Sequence, residues 1–242
     1  MLEAKRAIAA ESESSLLLGT VFVADEQTAG VGRRGRSWQS TRDAGLYFTF
    51  VWVHAADSVP FKTAVKLNFA TPLAVVEALR AVGVVDARVK WPNDVWVGTR
   101  KICGMLVDNE QNASIVGVGI NLNEHFAEND ALSQTATSVA HELRQERFDE
   151  REAVLADILT RLEQSIAHES LEQVLERYAK VHLLHGRVVR VHHKTREESD
   201  ERDYDATVLG LSPFGFLRVQ PTAPGSAVAE LSGEEVTIRP SQ

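Results

Sequence analysis

The residue types best suited to chemistry are concentrated at residues 25–38, which read Asp-Glu-Gln-Thr-Ala-Gly-Val-Gly-Arg-Arg-Gly-Arg-Ser-Trp. Three glycines are interleaved here with three arginines. Glycine lets the backbone fold closely over a ligand and present its N–H groups, and arginine offers charged, forked donors that match phosphate or carboxylate oxygens. Because the segment follows an apolar run at residues 19–24, we predict a loop that leaves a strand and binds a small anion.

Two other interpretations compete for this loop: a solvated Gly/Arg loop without a ligand, and an arm that binds nucleic acid. The whole chain carries a formal net charge of −8, and its pI is near 5.5. That is the wrong sign for a protein that binds a phosphate backbone. Basic residues concentrated in one loop of an acidic protein favour a small anionic ligand.

A second motif, Lys-Trp-Pro-Asn-Asp at residues 90–94, combines a proline turn, a large aromatic ring and a carboxylate. Lys101 follows on a predicted strand, between Arg100 and Gly104. This position favours a functional lysine over one that merely extends to solvent. Cys103 lies among apolar residues and is predicted to be a packed thiol, not a nucleophile.

Composition limits the class of protein. A chain of 242 residues is long enough for one large domain, or for a medium domain and a small one. No apolar stretch approaches the roughly 18 to 20 residues that a membrane helix needs. A single cysteine excludes an intramolecular disulfide and a cysteine-rich zinc site, and the histidines show no metal-ligand spacing. We therefore expect a cytoplasmic protein without a metal site of its own.

Hydrophobic periodicity predicts an α/β domain over residues 1–184 and a small β-barrel over residues 185–242. In the first domain, helices are expected at residues 2–13, 61–82, 137–143, 150–168 and 170–184, with strands at 20–24, 45–53, 87–90, 95–97, 101–107 and 113–121. In the second, short strands are expected at residues 186–191, 205–211, 215–219 and 235–239.

Two glycines occupy alternate positions of the strand predicted at residues 113–121. Gly117 and Gly119 must therefore face the same side of the sheet. Since glycine weakens a strand, their shared face indicates either that a ligand approaches closely or that the strand bends.

In order and spacing, these motifs resemble those of the biotin–protein ligases, which join biotin to a lysine of a carboxyl-carrier protein through biotinyl-5′-adenylate. The similarity extends from about residue 19 to the end of the chain. It is carried by residues 25–38; 90–94; Arg-Lys-Ile-Cys-Gly-Met-Leu-Val at 100–107; Gly-Val-Gly-Ile-Asn at 117–121; Ala-Thr-Ser at 136–138; and Ser-Gly-Glu-Glu-Val-Thr-Ile-Arg at 232–239.

The resemblance implies a mixed-sheet catalytic domain followed by an SH3-like barrel, and an ATP-dependent ligase that uses biotin, ATP and Mg²⁺. It implies a biotin carboxyl carrier domain as the protein partner. A homodimer is one possible assembly, the sequence leaves the oligomeric state open, and no binding to nucleic acid or membranes is expected. Catalytic roles fall on Arg33, Arg36, Asp94 and Lys101. Biotin contacts fall on Gln27, Gly30, Val31, Gly32, Arg33, Lys101, Gly104 and Gly117. ATP contacts fall on Arg33, Arg36, Trp38, Asn121 and Arg239.

Physical chemistry agrees with these roles, because adenylation brings a carboxylate against the α-phosphate of ATP and the two anions repel each other. Converging cations at Arg33, Arg36 and Lys101 would neutralise that repulsion by positioning and electrostatics. Two roles stay open for Asp94: it orients or deprotonates the incoming lysine amine, or it caps the turn at Pro92.

The chain departs from the family pattern at two places. A Ser-Thr-Asn motif, whose hydroxyls contact biotin in the family, would fall just before Met1, so we expect the first strand to be absent and a sheet edge to be left unpaired. Val31 also stands where the family commonly has arginine.

Two rival functions remain at the level of sequence. One is a lipoate or octanoate acyltransferase of the same superfamily, and the other is a non-catalytic relic that binds a nucleotide or a carrier domain.

Overall fold

The computed structural model describes residues 1–10, 18–54, 60–110, 112–126, 132–193, 203–233 and 236–240. The end of the first predicted helix, residues 11–13, and the start of the last predicted strand, residue 235, lie outside the described residues. None of the helices in the described ranges is long and apolar enough to cross a membrane.

Six strands form the larger sheet, in the spatial order β1-β2-β6-β5-β4-β3. They are β1 Val21–Ala24, β2 Gly45–Val53, β3 Ala87–Lys90, β4 Asp94–Val97, β5 Arg100–Glu110 and β6 Ala113–Asn121. The α/β architecture is confirmed, and each predicted strand is present with small shifts at its ends. One detail differs from the mixed sheet expected: every pair of these strands is antiparallel. Short connections link β3 to β6 and reverse the chain each time. Within the described residues, parallel pairing is found only as bridges from Val89 to His182 and from Lys101 to Ala136.

In the part of the chain that the structure describes, five α-helices accompany the sheet: α1 Leu2–Ala10, α2 Pro60–Ala81, α3 Val139–Leu143, α4 Arg151–His168 and α5 Leu171–Val181. α2 ends in a glycine cap. Gly83 adopts a φ of 105°, and the N–H of Val84 donates to the Leu79 carbonyl at 2.9 Å. α5 begins with a capping box between Ser170 and Gln173. It ends three residues earlier than expected, where the chain turns to bring Leu183 against β3.

Alternation along β2 gives the sheet two different faces. Phe48 and Phe50 join the main hydrophobic core with α2, α4 and α5, whereas Val51 joins a second cluster with Ala4 and Ile8 of α1. Successive side chains of a strand point to opposite faces. The three long helices therefore cover one face, and α1 covers part of the other face and leaves the remainder for a site.

A second antiparallel sheet has the order β10-β9-β8-β7-β11. Its strands are β7 Val188–His193, β8 Tyr204–Leu211, β9 Leu217–Pro221, β10 Ala229–Leu231 and β11 Val236–Pro240. The small C-terminal β-unit is thus as expected, except for β10, which spans only three residues and leaves little periodicity to detect. Its buried side chains, such as Val191 and Leu217, are continuous with the main core.

His182 is buried where α5 meets β3, with 5% of its surface exposed. Its ring centroid lies 5.6 Å from that of Tyr178, and its Nε2 has no hydrogen-bond partner within the described ranges. Burial, with a smaller contribution from His185, lowers the pKa of His182 from 6.5 to about 4. The imidazole is therefore neutral in the folded chain at pH 7.

The pKa of His182 predicts a loss of stability in acid. The unfolded chain binds the extra proton below pH 6.5 and the folded chain only near pH 4. The contribution of the neutral His182 to the free energy of unfolding is therefore fully present above pH 6.5. It falls as the pH decreases toward 4, by up to roughly 3 kcal/mol. Urea unfolding at a series of pH values will show a smaller loss for His182→Phe than for wild type. His168→Gln, at an exposed position, will keep the wild-type slope. Equal slopes for wild type and His182→Phe would contradict the prediction.

Candidate functional site

A cavity of about 930 Å³ lies on the sheet face that α1 leaves uncovered. Its walls are the loop between β1 and β2, the turn at residues 90–94 and the start of α1, and its floor is the centre of the sheet. A cavity of this size is typical of small-molecule and cofactor sites.

The β1–β2 loop carries a small hairpin at its tip. The Trp38 N–H donates to the Gly30 carbonyl at 2.8 Å, and the Gly32 N–H donates to the Arg36 carbonyl at 2.7 Å. Between them, residues Arg33–Gly35 form one turn of 3₁₀-helix. Gly30 is required by close approach, because a Cβ there would lie 2.4 Å from the Trp38 carbonyl oxygen. The hairpin thus presents the glycines and arginines of the loop as one ordered unit.

The floor of the cavity lacks side chains at its centre. Gly104 of β5 pairs with Gly119 of β6, and the Trp38 ring lies so close that a Cβ would be 2.9 Å from it at Gly104 and 3.1 Å at Gly119. The Met1 side chain approaches Gly117 in the same way, because a Cβ at Gly117 would lie 2.7 Å from it. Gly117 and Gly119 therefore share a face, as expected, and other groups approach both closely.

Lys101 lies at the centre of the charged part of the site. Its Nζ is 2.7 Å from an Asp94 carboxylate oxygen and 5.2 Å from the centroid of the Trp38 ring. About 30% of the Lys101 side chain and 28% of the Asp94 side chain remain exposed. Such a half-buried pair fixes the ammonium group at the cavity wall while an incoming anion can still reach it.

Arg33 connects the loop to the C-terminal unit, because its Nη2 donates to the carbonyl oxygen of Gly233, which follows β10. The turn at residues 90–94 makes a second connection: the Trp91–Pro92 peptide bond is cis, and Trp91 Nε1 donates to the Gly215 carbonyl at 3.2 Å. Trp91 is both buried and part of the cavity wall. The C-terminal unit therefore supports two of the motifs that the sequence singled out.

Most of the predicted site residues line this one cavity. They are Gln27, Val31, Gly32, Arg33, Arg36, Trp38, Asp94, Lys101, Gly104 and Gly117. Gly30 shapes the hairpin behind them.

Two predicted nucleotide contacts are not brought into the cavity wall. Asn121 is buried outside it, and its Nδ2 donates to the Thr137 carbonyl at 3.0 Å. This interaction makes it a support for the segment that follows β6. Arg239 is described only as a backbone position of β11, opposite Arg190.

Sequence reasoning missed the β2 contribution to the cavity. Tyr47 and Thr49 line it together with Met105 and Leu106 of β5. β2 reads as apolar on both faces, so alternation alone gave no sign of which residues face a ligand. The structure reveals it through the pairing of β2 with β6, where Tyr47 lies opposite Gly119 and Thr49 opposite Gly117, and that register is not encoded in the residue pattern of β2 alone.

The structure also shows the surroundings of the cysteine and of the histidines. Cys103 is fully buried, and burial raises the pKa of its thiol well above the usual value, so the packed-thiol interpretation is confirmed. His125 and His141 are exposed. Within the described ranges, no group of three or more His, Cys, Asp or Glu side chains is arranged to hold a metal ion.

Comparison with known proteins gives a consistent result. Residues 9–123 match the model of the biotin/lipoate A/B protein ligase family. The chain is 38% identical to the biotin–[acetyl-CoA-carboxylase] ligase of Mycobacterium tuberculosis over 109 residues, which are 44% of this chain and 40% of that protein. It is 36% identical to the bifunctional ligase/repressor BirA of Salmonella typhimurium over 121 residues, which are 48% of this chain and 37% of that protein. The matches thus span well under half the length of these curated relatives.

Solved structures resemble nearly the whole chain. The biotin protein ligase of Aquifex aeolicus in complex with biotin and ATP superposes with a TM-score of 0.78 at 26% identity, and the match covers 98% of this chain and 95% of that one. The Leishmania major biotin protein ligase in complex with biotinyl-5-AMP shares the fold, with a TM-score of 0.59 at 23% identity.

The two hairpin glycines provide a matched pair of substitutions. Gly30→Ala places a methyl group against the Trp38 carbonyl, whereas at Gly32 the nearest atom is 3.4 Å from the added Cβ, an ordinary contact. We expect Gly30→Ala to open the hairpin and accelerate amide hydrogen exchange at Trp38 by roughly tenfold or more. Gly32→Ala should stay within about threefold of wild type. Exchange measured by NMR or mass spectrometry tests this, and equal protection in both variants would contradict it.

Proposed function

We propose that this chain, whose residues 9–123 match the model of the biotin/lipoate A/B protein ligase family, activates biotin with ATP and transfers it to a lysine of a biotin carboxyl carrier domain. The first step joins the biotin carboxylate to the α-phosphate and releases pyrophosphate. In the second step the lysine amine attacks the acyl carbon of biotinyl-5′-AMP, and AMP leaves. The likeness to a ligase bound to biotin and ATP over 98% of the chain supports this proposal.

The observation that carries the proposal is the convergence of three cationic side chains on one glycine-floored cavity. Arg33, Arg36 and Lys101 all line it. Two anions must meet in the adenylation step, and fixed cations lower the barrier by neutralising both the reactants and the charge of the transition state. The glycine floor allows a ring to approach the backbone closely, as the Trp38 ring does at Gly104 and Gly119, and the cations at the wall suit a carboxylate and a phosphate.

In this proposal, the four charged residues predicted to be catalytic each have a role. Lys101 bridges the biotin carboxylate and the α-phosphate, and Arg33 and Arg36 contact phosphate oxygens. Asp94 holds Lys101 through their 2.7 Å ion pair and lies where the carrier lysine would arrive. The pair supports an orienting role for Asp94 at the adenylate.

Mg²⁺ would enter with the nucleotide, since this ion is commonly held by one or two carboxylates together with substrate phosphates. When bound, it would neutralise phosphate charge. Asp94 is a carboxylate at the cavity wall that could contact it.

The two-domain division at residue 184 is likewise part of the proposal. In this division, the C-terminal unit after residue 184 supports the ATP side of the cavity. Its Gly233 and Gly215 carbonyls accept hydrogen bonds from Arg33 and Trp91. Arg239 stays a proposed nucleotide contact. Asn121 is proposed to act on the nucleotide subsite through the Thr137 backbone that it holds. The carrier partner, homodimerisation and the cytoplasmic location stay predictions.

The rival functions differ in their demands. An octanoyltransferase would need a reactive cysteine, and the single cysteine of this chain is fully buried with a raised thiol pKa. That observation disfavours thioester chemistry. A non-catalytic relic would bind the nucleotide without forming a product, so product formation is the test.

A single-turnover assay with biotin, ATP and Mg²⁺ tests the proposal directly. We expect biotinyl-5′-AMP to form, and label to pass to an added carrier domain. Lys101→Ala should slow adenylate formation by roughly 100-fold, the usual cost of removing one charge-assisted contact to the transition state. Lys180→Ala, an exposed lysine on α5, serves as the matched control. Lipoate and octanoate are the competing acids. An adenylate formed only from those acids, or none at all, would overturn the proposal.

A further inference from the structure

Glu124 lies three residues after β6. It contacts the C-terminal end of the β1–β2 loop, just before β2 begins. One carboxylate oxygen accepts the Thr41 N–H at 2.7 Å, and the other accepts the Thr41 hydroxyl at 2.8 Å. The first oxygen also accepts the Tyr47 hydroxyl at 2.7 Å. One carboxylate thus receives three donors from the segment that ends the loop and enters β2.

The segment that carries Glu124 is itself firmly held. The N–H groups of Leu122 and Asn123 donate to the Ala44 carbonyl at 3.2 and 2.6 Å. The Asn123 side chain pairs with the backbone N–H and carbonyl of Phe148 at 2.7 and 2.9 Å. Glu124 therefore projects from a fixed point, and its bonds restrain the loop more than they restrain Glu124.

The restraint continues from Thr41 toward the cavity through its neighbour Ser40. The Ser40 hydroxyl accepts the Gln27 N–H at 2.8 Å and donates to the Gln27 carbonyl at 3.1 Å. Gln27 lines the cavity. Tyr47, the other partner of Glu124, is 2% exposed and also lines the cavity.

We propose that Glu124 is a positioning residue for the β1–β2 loop. Glu124 acts through Thr41, Ser40 and Tyr47 to hold Gln27 and the cavity wall in their binding geometry. This inference rests on the proposed function for its kinetic consequence. Glu124 itself is outside the set of residues that line the cavity, so it touches no reacting atom. Its effect should fall on substrate binding rather than on the chemical step.

The three hydrogen bonds that Glu124 accepts can be removed in part or together by substitution. Glu124→Ala removes all three bonds. Glu124→Gln keeps an oxygen for the Thr41 N–H and the Tyr47 hydroxyl, and its amide can donate to the Thr41 hydroxyl. Thr41→Val removes the hydroxyl bond alone. Glu146→Ala, an exposed glutamate of the nearby loop, is the matched control.

We expect Glu124→Ala to raise KM for biotin in adenylate formation by about tenfold, which corresponds to about 1.4 kcal/mol, with kcat within about twofold. Glu124→Gln and Glu146→Ala should stay near wild type, and Thr41→Val should show a smaller rise in KM than Glu124→Ala. A Glu124→Gln variant as defective as Glu124→Ala would overturn the proposal, because the charge would then matter rather than the bonds. A loss of kcat alone, or an unchanged KM in Glu124→Ala, would also overturn it.

A second readout needs no substrate. In Glu124→Ala, amide exchange should accelerate by roughly tenfold at Thr41 and at Gln27, with the thermal unfolding midpoint used to exclude global unfolding. If wild type forms no biotinyl-5′-AMP, the proposed function fails, but this exchange experiment still tests the positioning role. Unchanged exchange at both amides would overturn it.

Discussion

The whole site depends on the antiparallel register of β2, β6 and β5. That register sets Tyr47 opposite Gly119, Thr49 opposite Gly117, and Gly119 opposite Gly104. The three glycines thereby form a flat area in the middle of a sheet that is otherwise covered by side chains. Since the side-chain period of a strand is two residues, a slip by one position would fill the cavity with side chains of the core face.

The charged residues take their positions from this sheet. β4 and β5 are neighbours, and Asp94 lies opposite Gly104 in their pairing. A register shift follows between Val95 and Trp96, and beyond it Lys101 reaches back to Asp94 at 2.7 Å. A β-bulge re-aims a side chain without lengthening the loop. The ion pair is therefore a product of strand irregularity as well as of sequence.

Much of this could be predicted from residue patterns, for reasons that are physical. The strands around Phe48 and Ile115 have strong periodicity and the helix α2 is capped by Gly83, and such signals act locally. The glycines and arginines of the β1–β2 loop indicated by residue type a segment that borders a cavity, and its residues do line one. What the sequence could not supply is contact between distant segments: the bond from Arg33 to the C-terminal unit, the turning of Asn121 toward Thr137, and the role of β2 in the cavity. Each depends on register or on packing of elements far apart in the chain.

The glycine floor also has a thermodynamic consequence. Glycine in the interior of a strand packs poorly and loses much conformational entropy on folding, so the centre of the sheet is intrinsically its weakest part. Trp38 covers Gly104 and Gly119 and supplies the apolar contact that those positions lack. The β1–β2 loop therefore stabilises the strands on which it packs. Local opening of the loop and fraying of the central strands should occur as one cooperative unit, with the helical face of the sheet retained.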